Sequence, residues 1–148
     1  MHNDDYVYLY PAREYMREIR LRHHHLLCTQ NFVGKGYDAL FVANMQRVVA
    51  ELASPEGLVI HLAAVCDDIC SFCPNRVENR CKDEVSVFEK DRSAALFLDL
   101  AEDSTWPAAP LVHLVRERLK RLDDFDHLCG KCEWVGVCNE RLAFIQRE

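Results

Sequence analysis

The segment Cys66-Asp-Asp-Ile-Cys-Ser-Phe-Cys-Pro74 contains three cysteines, and a fourth, Cys81, follows after a short polar stretch. A second segment, Cys129-Gly-Lys-Cys-Glu-Trp-Val-Gly-Val-Cys138, repeats a Cys-x-x-Cys pair followed by one further cysteine. Another cysteine ends the run His23-His-His-Leu-Leu-Cys28. Two Cys-x-x-Cys pairs of this kind are typical of metal sites. The sequence therefore indicates that the fold is organised around bound metal.

The composition fits one folded domain. A chain of 148 residues is long enough for one core, and at that size about two thirds of the unfolded surface can be buried. The net charge of -6 argues against a nucleic-acid surface, which needs clustered lysine and arginine. No apolar run approaches the roughly 20 residues of a membrane span. We therefore expect neither a nucleic-acid partner nor a membrane partner.

The N-terminal segment bears on the compartment. Residues 1–10 carry two aspartates and no basic stretch before an apolar run, so they do not resemble a secretory signal. We therefore expect a cytoplasmic protein, in which thiols are kept reduced. The eight cysteines are accordingly interpreted as metal ligands rather than as four disulfides.

The hydrophobic pattern predicts a mostly α protein with a minor β element. The clearest helix starts after Asp38, a suitable N-cap, and places Phe41, Met45, Val48, Val49 and Leu52 on one face. Residues 58–62 read as a short strand, and residues 19–22 are ambiguous between helix and strand. Further helices are predicted over residues 23–30, 85–100, 111–122 and 139–146, with a loop over residues 106–110. We expect an N-terminal extension over residues 1–17 and a single small helical domain over residues 18–148, with two cysteine-rich metal-binding loops.

Thiolate chemistry explains why several cysteines would lie together at a metal site. A thiol binds metal as a thiolate, and a buried thiolate without a cation is costly. One structural zinc would use Cys70, Cys73, Cys129 and Cys132 and leave the other four cysteines over. Iron–sulfur clusters, each needing four ligands, give the additional cysteine of each segment a purpose. The surplus favours clusters over zinc.

The residues around the cysteines have several interpretations. His24 and Cys28 are four residues apart on a helix and could bind the same metal, whereas His25 would point elsewhere. Both histidines and Cys66 are possible additional ligands. The alternative for the histidines is a polar role without metal. Trp134 is interpreted as a hydrophobic lid, and Tyr37 and Phe41 as core. Asp67 and Asp68 can cap the first cysteine turn by accepting backbone N–H groups.

The sequence offers no alternative catalytic constellation. It shows no serine–histidine–acid order, phosphate-binding glycine loop or paired catalytic carboxylates. Cys28 activated by His24 or His25 would be a possible nucleophile, but no acid partner is identifiable. The catalytic residues, if any, stay unknown at this stage.

Four groups of residues, taken in order, resemble a known family. They are Leu21-Arg22 with His24-His-Leu-Leu-Cys28; Gly36-Tyr37 with Phe41 and Asn44-Met45; Asp67-Asp-Ile-Cys70 with Cys73-Pro74; and Cys129-x-x-Cys132 with Trp134. Together they are similar to the bacterial and archaeal domain-of-unknown-function family 1284, over about residues 19–145. The second cysteine segment also resembles, more loosely, the auxiliary-cluster cysteines of radical enzymes, although the radical-generating motif is absent.

Members of that family are described as iron–sulfur binding, so the resemblance implies cluster ligands. It assigns that role to seven cysteines: Cys28, Cys70, Cys73, Cys81, Cys129, Cys132 and Cys138. Cys66 lies outside the family pattern, and His23 stands where a glycine is usual. Replacement of Cys66 is expected to be mild, because three residues separate it from Cys70 and the segment from Cys70 onward already supplies three sulfurs.

The sequence thus predicts one or two iron–sulfur clusters, of the [4Fe–4S] type, in a protein that acts in electron transfer, in redox sensing or as an accessory to an enzyme. The expected partner is a redox protein or an enzyme. Two alternatives stay open. One is a structural zinc protein that serves as an interaction module, and the other is an enzyme whose cluster, held by three thiolates, keeps one iron open for substrate.

Overall fold

A computed structural model describes residues 17–78, 80–129, 132 and 134–147. Within these ranges, the strands are β1 (Arg17–Leu21), β2 (Leu58–Leu62), β3 (Arg76–Val77), β4 (Arg80–Cys81) and β5 (Ser104–Pro107). The helices are α1 (His23–Asn31), α2 (Ala39–Ala53), α3 (Glu84–Leu98), α4 (Ala108–Leu119), α5 (Asp126–Cys129) and α6 (Val135–Gln146), with a 3₁₀ turn over Cys70–Phe72. The prediction of a mostly α domain with a minor β element is confirmed.

A three-stranded sheet forms the β element. β2 lies in the middle, parallel to β1 and antiparallel to β5. Its residues Leu58, Ile60 and Leu62 are fully buried, and the alternation of side chains along a strand explains this every-second-residue pattern. Ile19 and Leu21 of β1 show the same alternation, which resolves the ambiguous residues 19–22 as strand through Leu21.

Helix α2 forms as its sequence predicts. The Asp38 carboxylate accepts a hydrogen bond from the Phe41 N–H at 2.8 Å, so the predicted N-cap is confirmed. Met45, Val48 and Leu52 are buried on one face. Phe41 lies at the edge of that face and is half-buried.

Several boundaries differ from the prediction, and two of the differences change the interpretation. The loop expected over residues 106–110 is wrong, because β5 continues through Pro107 and α4 starts at Ala108. Pro110 is compatible with this start, since N–H groups in the first helical turn have no partner within the helix. Helix α6 begins at Val135 rather than at residue 139, so Cys138 lies in a helix and the description of the second cysteine segment as a loop is not confirmed.

Arg17, the first residue that the structure describes, ties the start of β1 to the start of β2. Its guanidinium donates to the carbonyl oxygens of Ser54 at 3.1 Å and Glu56 at 2.7 Å, beside the start of β2. The predicted extension over residues 1–17 otherwise lies outside the described residues. In the part of the chain that the structure describes, no helix combines the length and apolar character needed to cross a membrane.

Helix α3 offers a matched test of the core. Leu98 is fully buried, whereas Leu96, two residues earlier on the same helix, is 81% exposed. We expect Leu98→Ala to lower the free energy of unfolding by about 2–5 kcal/mol and Leu96→Ala to change it by less than about 0.5 kcal/mol. Urea unfolding followed by circular dichroism measures both, and equal losses would contradict this placement of α3.

Candidate metal centre

A cavity of about 800 Å³ lies between the cysteine segments and helices α1 and α3. Seven cysteines from separate parts of the chain line it: Cys28, Cys70, Cys73, Cys81, Cys129, Cys132 and Cys138. These are the seven residues to which the family resemblance assigns a ligand role. The fold thus brings to one cavity thiols that are more than 100 residues apart in the sequence.

Three of these cysteines, Cys70, Cys73 and Cys81, form what we call the turn group. The Cys73 N–H donates to the Cys70 carbonyl oxygen at 3.0 Å, which closes the tight turn that the Cys-x-x-Cys spacing predicts. The hairpin of β3 and β4 pairs Arg76 with Cys81 and so returns the third cysteine toward the turn. Burial raises the pKa of Cys73, and the charge of Cys81 contributes to the increase, as expected for neighbouring thiols.

The other four, Cys28, Cys129, Cys132 and Cys138, form the helical group. The Cys132 N–H donates to the Cys129 carbonyl oxygen at 2.9 Å, so this pair folds into the same tight turn. Cys129 belongs to the hydrophobic core, and the other three cysteines pack against it. The Asn31 side-chain amide lowers the pKa of Cys138, against the larger effect of burial. The helical group is therefore embedded in the core, and one helix, α1, supplies both Cys28 and this amide.

Cys66 is placed differently. It lines a separate surface depression together with Arg20, Asp68 and Arg76. Burial raises the pKa of its thiol, opposed by a hydrogen bond with Cys70. Cys66 thus lies next to the turn group but not on the cavity wall.

Three thiols of the helical group, those of Cys28, Cys129 and Cys138, resist ionisation. Burial raises the pKa of Cys28 well above its ordinary value, and the other thiols of the group raise it further. Burial and the neighbouring thiols also raise the pKa of Cys129 to about 12 and that of Cys138 to about 11. Since a metal ligand must be a thiolate, a shared cation would remove the cost of ionising this group.

Two histidines of the cavity wall, His24 and His25, are each paired with an aspartate. His24 Nδ1 lies 2.5 Å from Asp91 Oδ1, and His25 Nδ1 lies 2.5 Å from Asp67 Oδ2. Burial and the neighbouring His25 lower the pKa of His24 to about 4, so its ring is neutral at pH 7. Each ionised carboxylate only accepts, hence Nδ1 of each ring carries the proton. Nε2 is then the ring nitrogen left for other chemistry.

The Asp67 carboxylate accepts four hydrogen bonds. Oδ2 accepts from the Arg22 N–H at 2.6 Å as well as from His25, and Oδ1 accepts from the N–H groups of Ile69 and Cys70, both at 3.0 Å. Burial alone would raise the pKa of Asp67, but His25 and the backbone donors outweigh it and lower the pKa to about 2. The predicted turn-capping role is confirmed for Asp67. Asp68 differs, because its carboxylate accepts from the Arg20 N–H at 2.9 Å.

The ligand atoms around Asp67 are close enough together to be compatible with a metal site. Among the residues that the structure describes, one set of three potential ligand atoms lies within 4.8 Å of one another, and it comes from His25, Asp67 and Cys70. Asp67 already accepts four hydrogen bonds, so binding a metal would displace at least one of them. We therefore interpret Asp67 as the residue that positions His25 and Cys70, not as a ligand.

Sequence reasoning missed the partner of the buried arginine. Arg22 is fully buried, and its Nε donates to Asp91 Oδ2 at 2.7 Å. Asp91 lies on the buried face of α3 with Val87, Ala94 and Leu98. An acidic residue within an apolar stripe is the signal that could have identified it.

An aromatic wall closes one side of the cavity. Trp134 and Tyr37 both line it, with ring centroids 5.6 Å apart, and Tyr37 contacts Phe41 at 5.1 Å. Both contacts are edge-to-face, a favourable arrangement for aromatic rings. Interpreting Tyr37 as core was wrong, since it is 38% exposed. Its position against Trp134 makes it part of the wall.

The fold and cavity define a class: a small, mostly helical protein whose cysteines converge on one thiol-lined cavity. The model of the family described as protein of unknown function (DUF1284) matches residues 36–138, and the chain belongs to that family. The match includes both cysteine segments, whereas α1, with His24, His25 and Cys28, precedes it. No curated protein and no solved structure matches the chain.

The role of Asp67 can be tested by replacing it with asparagine, with the same replacement of Asp68 as a matched control. Asparagine at position 67 would turn an amide NH₂ toward existing donors, so we expect Asp67→Asn to lower the free energy of unfolding by about 3 kcal/mol or more. The Asp68 carboxylate accepts the backbone N–H of Arg20, and Asp68→Asn should lower the free energy of unfolding by about 1 kcal/mol. Urea unfolding of the two variants compares them, and equal losses would argue against the central role of Asp67.

Proposed function

We propose that this protein binds iron–sulfur clusters at the turn group and the helical group. The observation that carries the proposal is the convergence of seven cysteines, from four separate segments, on one cavity. The chemistry of the donor set fits the cofactor, since cysteine thiolates are the usual ligands of such clusters. The helical group would supply all four thiolates of one site, and the turn group three ligands of the other.

The number of thiols on the cavity wall favours clusters over zinc. A structural zinc takes four ligands, so one ion would leave three of the seven cavity cysteines without a role. Iron–sulfur clusters at both groups would use all seven.

The charges around the cavity support the same proposal. Although the whole chain carries a net charge of -6, Lys35, Lys82 and Lys90 line the cavity. Lys90 lowers the pKa values of Cys28 and Cys129, against the larger effect of burial. Cations at this wall would offset the negative charge of thiolate-ligated clusters.

When bound, such clusters supply one-electron transfer, with potentials tuned by burial and by hydrogen bonds to the sulfurs. The function that we propose is therefore electron transfer or redox sensing with a protein partner. The cytoplasmic location stays a prediction of the sequence. The zinc alternative is retained as an outcome of the test below.

Metal analysis tests the proposal directly. Protein purified without oxygen should be brown and should contain iron and acid-labile sulfide in similar amounts, because clusters contain both. The measurements are elemental analysis, sulfide determination and an absorption spectrum. Colourless protein with stoichiometric zinc and no sulfide would instead establish the structural zinc alternative.

The division of the cysteines predicts how iron is lost. Cys73→Ser and Cys132→Ser should each remove about half of the iron and leave different absorption spectra, because each variant retains the other group. The double variant should lose nearly all of it. If either single variant loses nearly all its iron while staying folded by circular dichroism, the two groups serve one shared centre.

A further inference from the structure

The two groups differ in the number of thiols that they present to the cavity. The helical group has four, which complete the ligand set of one cluster. The turn group has three, Cys70, Cys73 and Cys81. A cluster there needs a fourth ligand from the surrounding wall, or one iron stays open. His25, His24 and Cys66 are the nearby candidates.

His25 has the strongest structural support. It lines the same cavity as the turn group, and its ring, the Asp67 carboxylate and the Cys70 sulfur each present a ligand atom within 4.8 Å of one another. Its Nδ1 is committed to Asp67 at 2.5 Å. Histidines that bind metals commonly donate the other ring N–H to a carboxylate, which fixes the ring and its tautomer. His25 therefore has the arrangement expected of an Nε2 ligand.

Asp67 also couples this histidine to the turn. The same carboxylate accepts the N–H of Cys70 at 3.0 Å, so one buried group sets the positions of both His25 and Cys70. The His25 side chain is largely buried, at 15% exposure. The ring is thus held in place before any metal arrives, and little conformational entropy would be lost on binding.

The other two candidates fit less well. Cys66 lines the separate surface depression rather than the cavity. His24 is held by Asp91 on α3, and its neighbour four residues along the helix is Cys28 of the helical group, whose ligand set is already complete. Its ring packs against that of His25, with centroids 4.2 Å apart, so it supports the His25 ring from the side.

We infer that His25, through Nε2, is the fourth ligand at the turn group, which makes this site a three-cysteine, one-histidine site distinct from the four-cysteine site of the helical group. The inference rests on the proposed function and names the ligand that the seven cysteines leave missing. It also assigns a purpose to Asp67 beyond folding, as the residue that orients a metal-binding histidine.

Pulsed electron paramagnetic resonance of the reduced, iron-loaded wild-type protein tests the inference without any substitution. We expect a strong hyperfine coupling from a histidine nitrogen, which changes when the protein is labelled with ¹⁵N-histidine. In His25→Cys the iron should be retained, because a fourth thiolate replaces the imidazole, and the nitrogen coupling should disappear. His24→Gln should keep the coupling, and Cys66→Ser should keep the iron of both groups.

The results that would overturn the inference are distinct. Wild-type protein that contains iron and sulfide at both groups but shows no bonded histidine nitrogen excludes His25 and leaves the proposed function intact. Loss of the coupling in His24→Gln, with its persistence in His25→Cys, would assign the ligand to His24. Loss of about half of the iron in Cys66→Ser would assign it to Cys66. Wild-type protein without iron and sulfide would overturn the proposed function together with the inference.

Discussion

The hydrogen bonds of the Asp67 carboxylate fix the relative positions of three parts of the chain. The acceptor oxygens receive the backbone N–H that follows β1, a histidine ring on α1 and two N–H groups of the first cysteine turn. None of these donors would be satisfied by water at such a buried position, and an unsatisfied buried polar group is costly. The placement of Cys70 relative to α1 therefore depends on this one side chain.

A second buried carboxylate extends this arrangement to α3. Asp91 accepts from the guanidinium of Arg22 and pairs with His24, so the residue before α1 and a residue in its first turn are joined to one acid. Burying an arginine is unfavourable unless its charge is compensated and its donors are bonded, and Asp91 and Glu84 provide both. The two aspartates hold α1 between the cysteine turn and α3, which makes α1 a fixed wall of the cavity.

The two thiol groups consequently have different surroundings. The helical group packs on the hydrophobic core, with Cys28 supplied by α1 itself. The turn group lies at the edge of the fold, held by a tight turn and a short hairpin. Both meet at α1, because this helix contributes to one group directly and reaches the other through the His25–Asp67 pair. The metal chemistry that we propose would accordingly depend on interactions that lie outside the cysteine segments.

Local signals in the sequence determined much of what the structure shows. Hydrophobic periodicity and the Asp38 cap identified α2, the apolar run identified β2, and the Cys-x-x-Cys spacing indicated both tight turns, since each of these depends on neighbours within a few residues. Tertiary structure alone decided that Asp91 would be the partner of Arg22, that Cys28 would join a pair about 100 residues away, and that Cys66 would be left off the cavity wall. These outcomes depend on which helix faces which, and the free energy that decides this comes from burying charges and apolar surface across elements distant in sequence. For that reason the sequence revealed the candidate ligands, whereas their division into two groups required the fold.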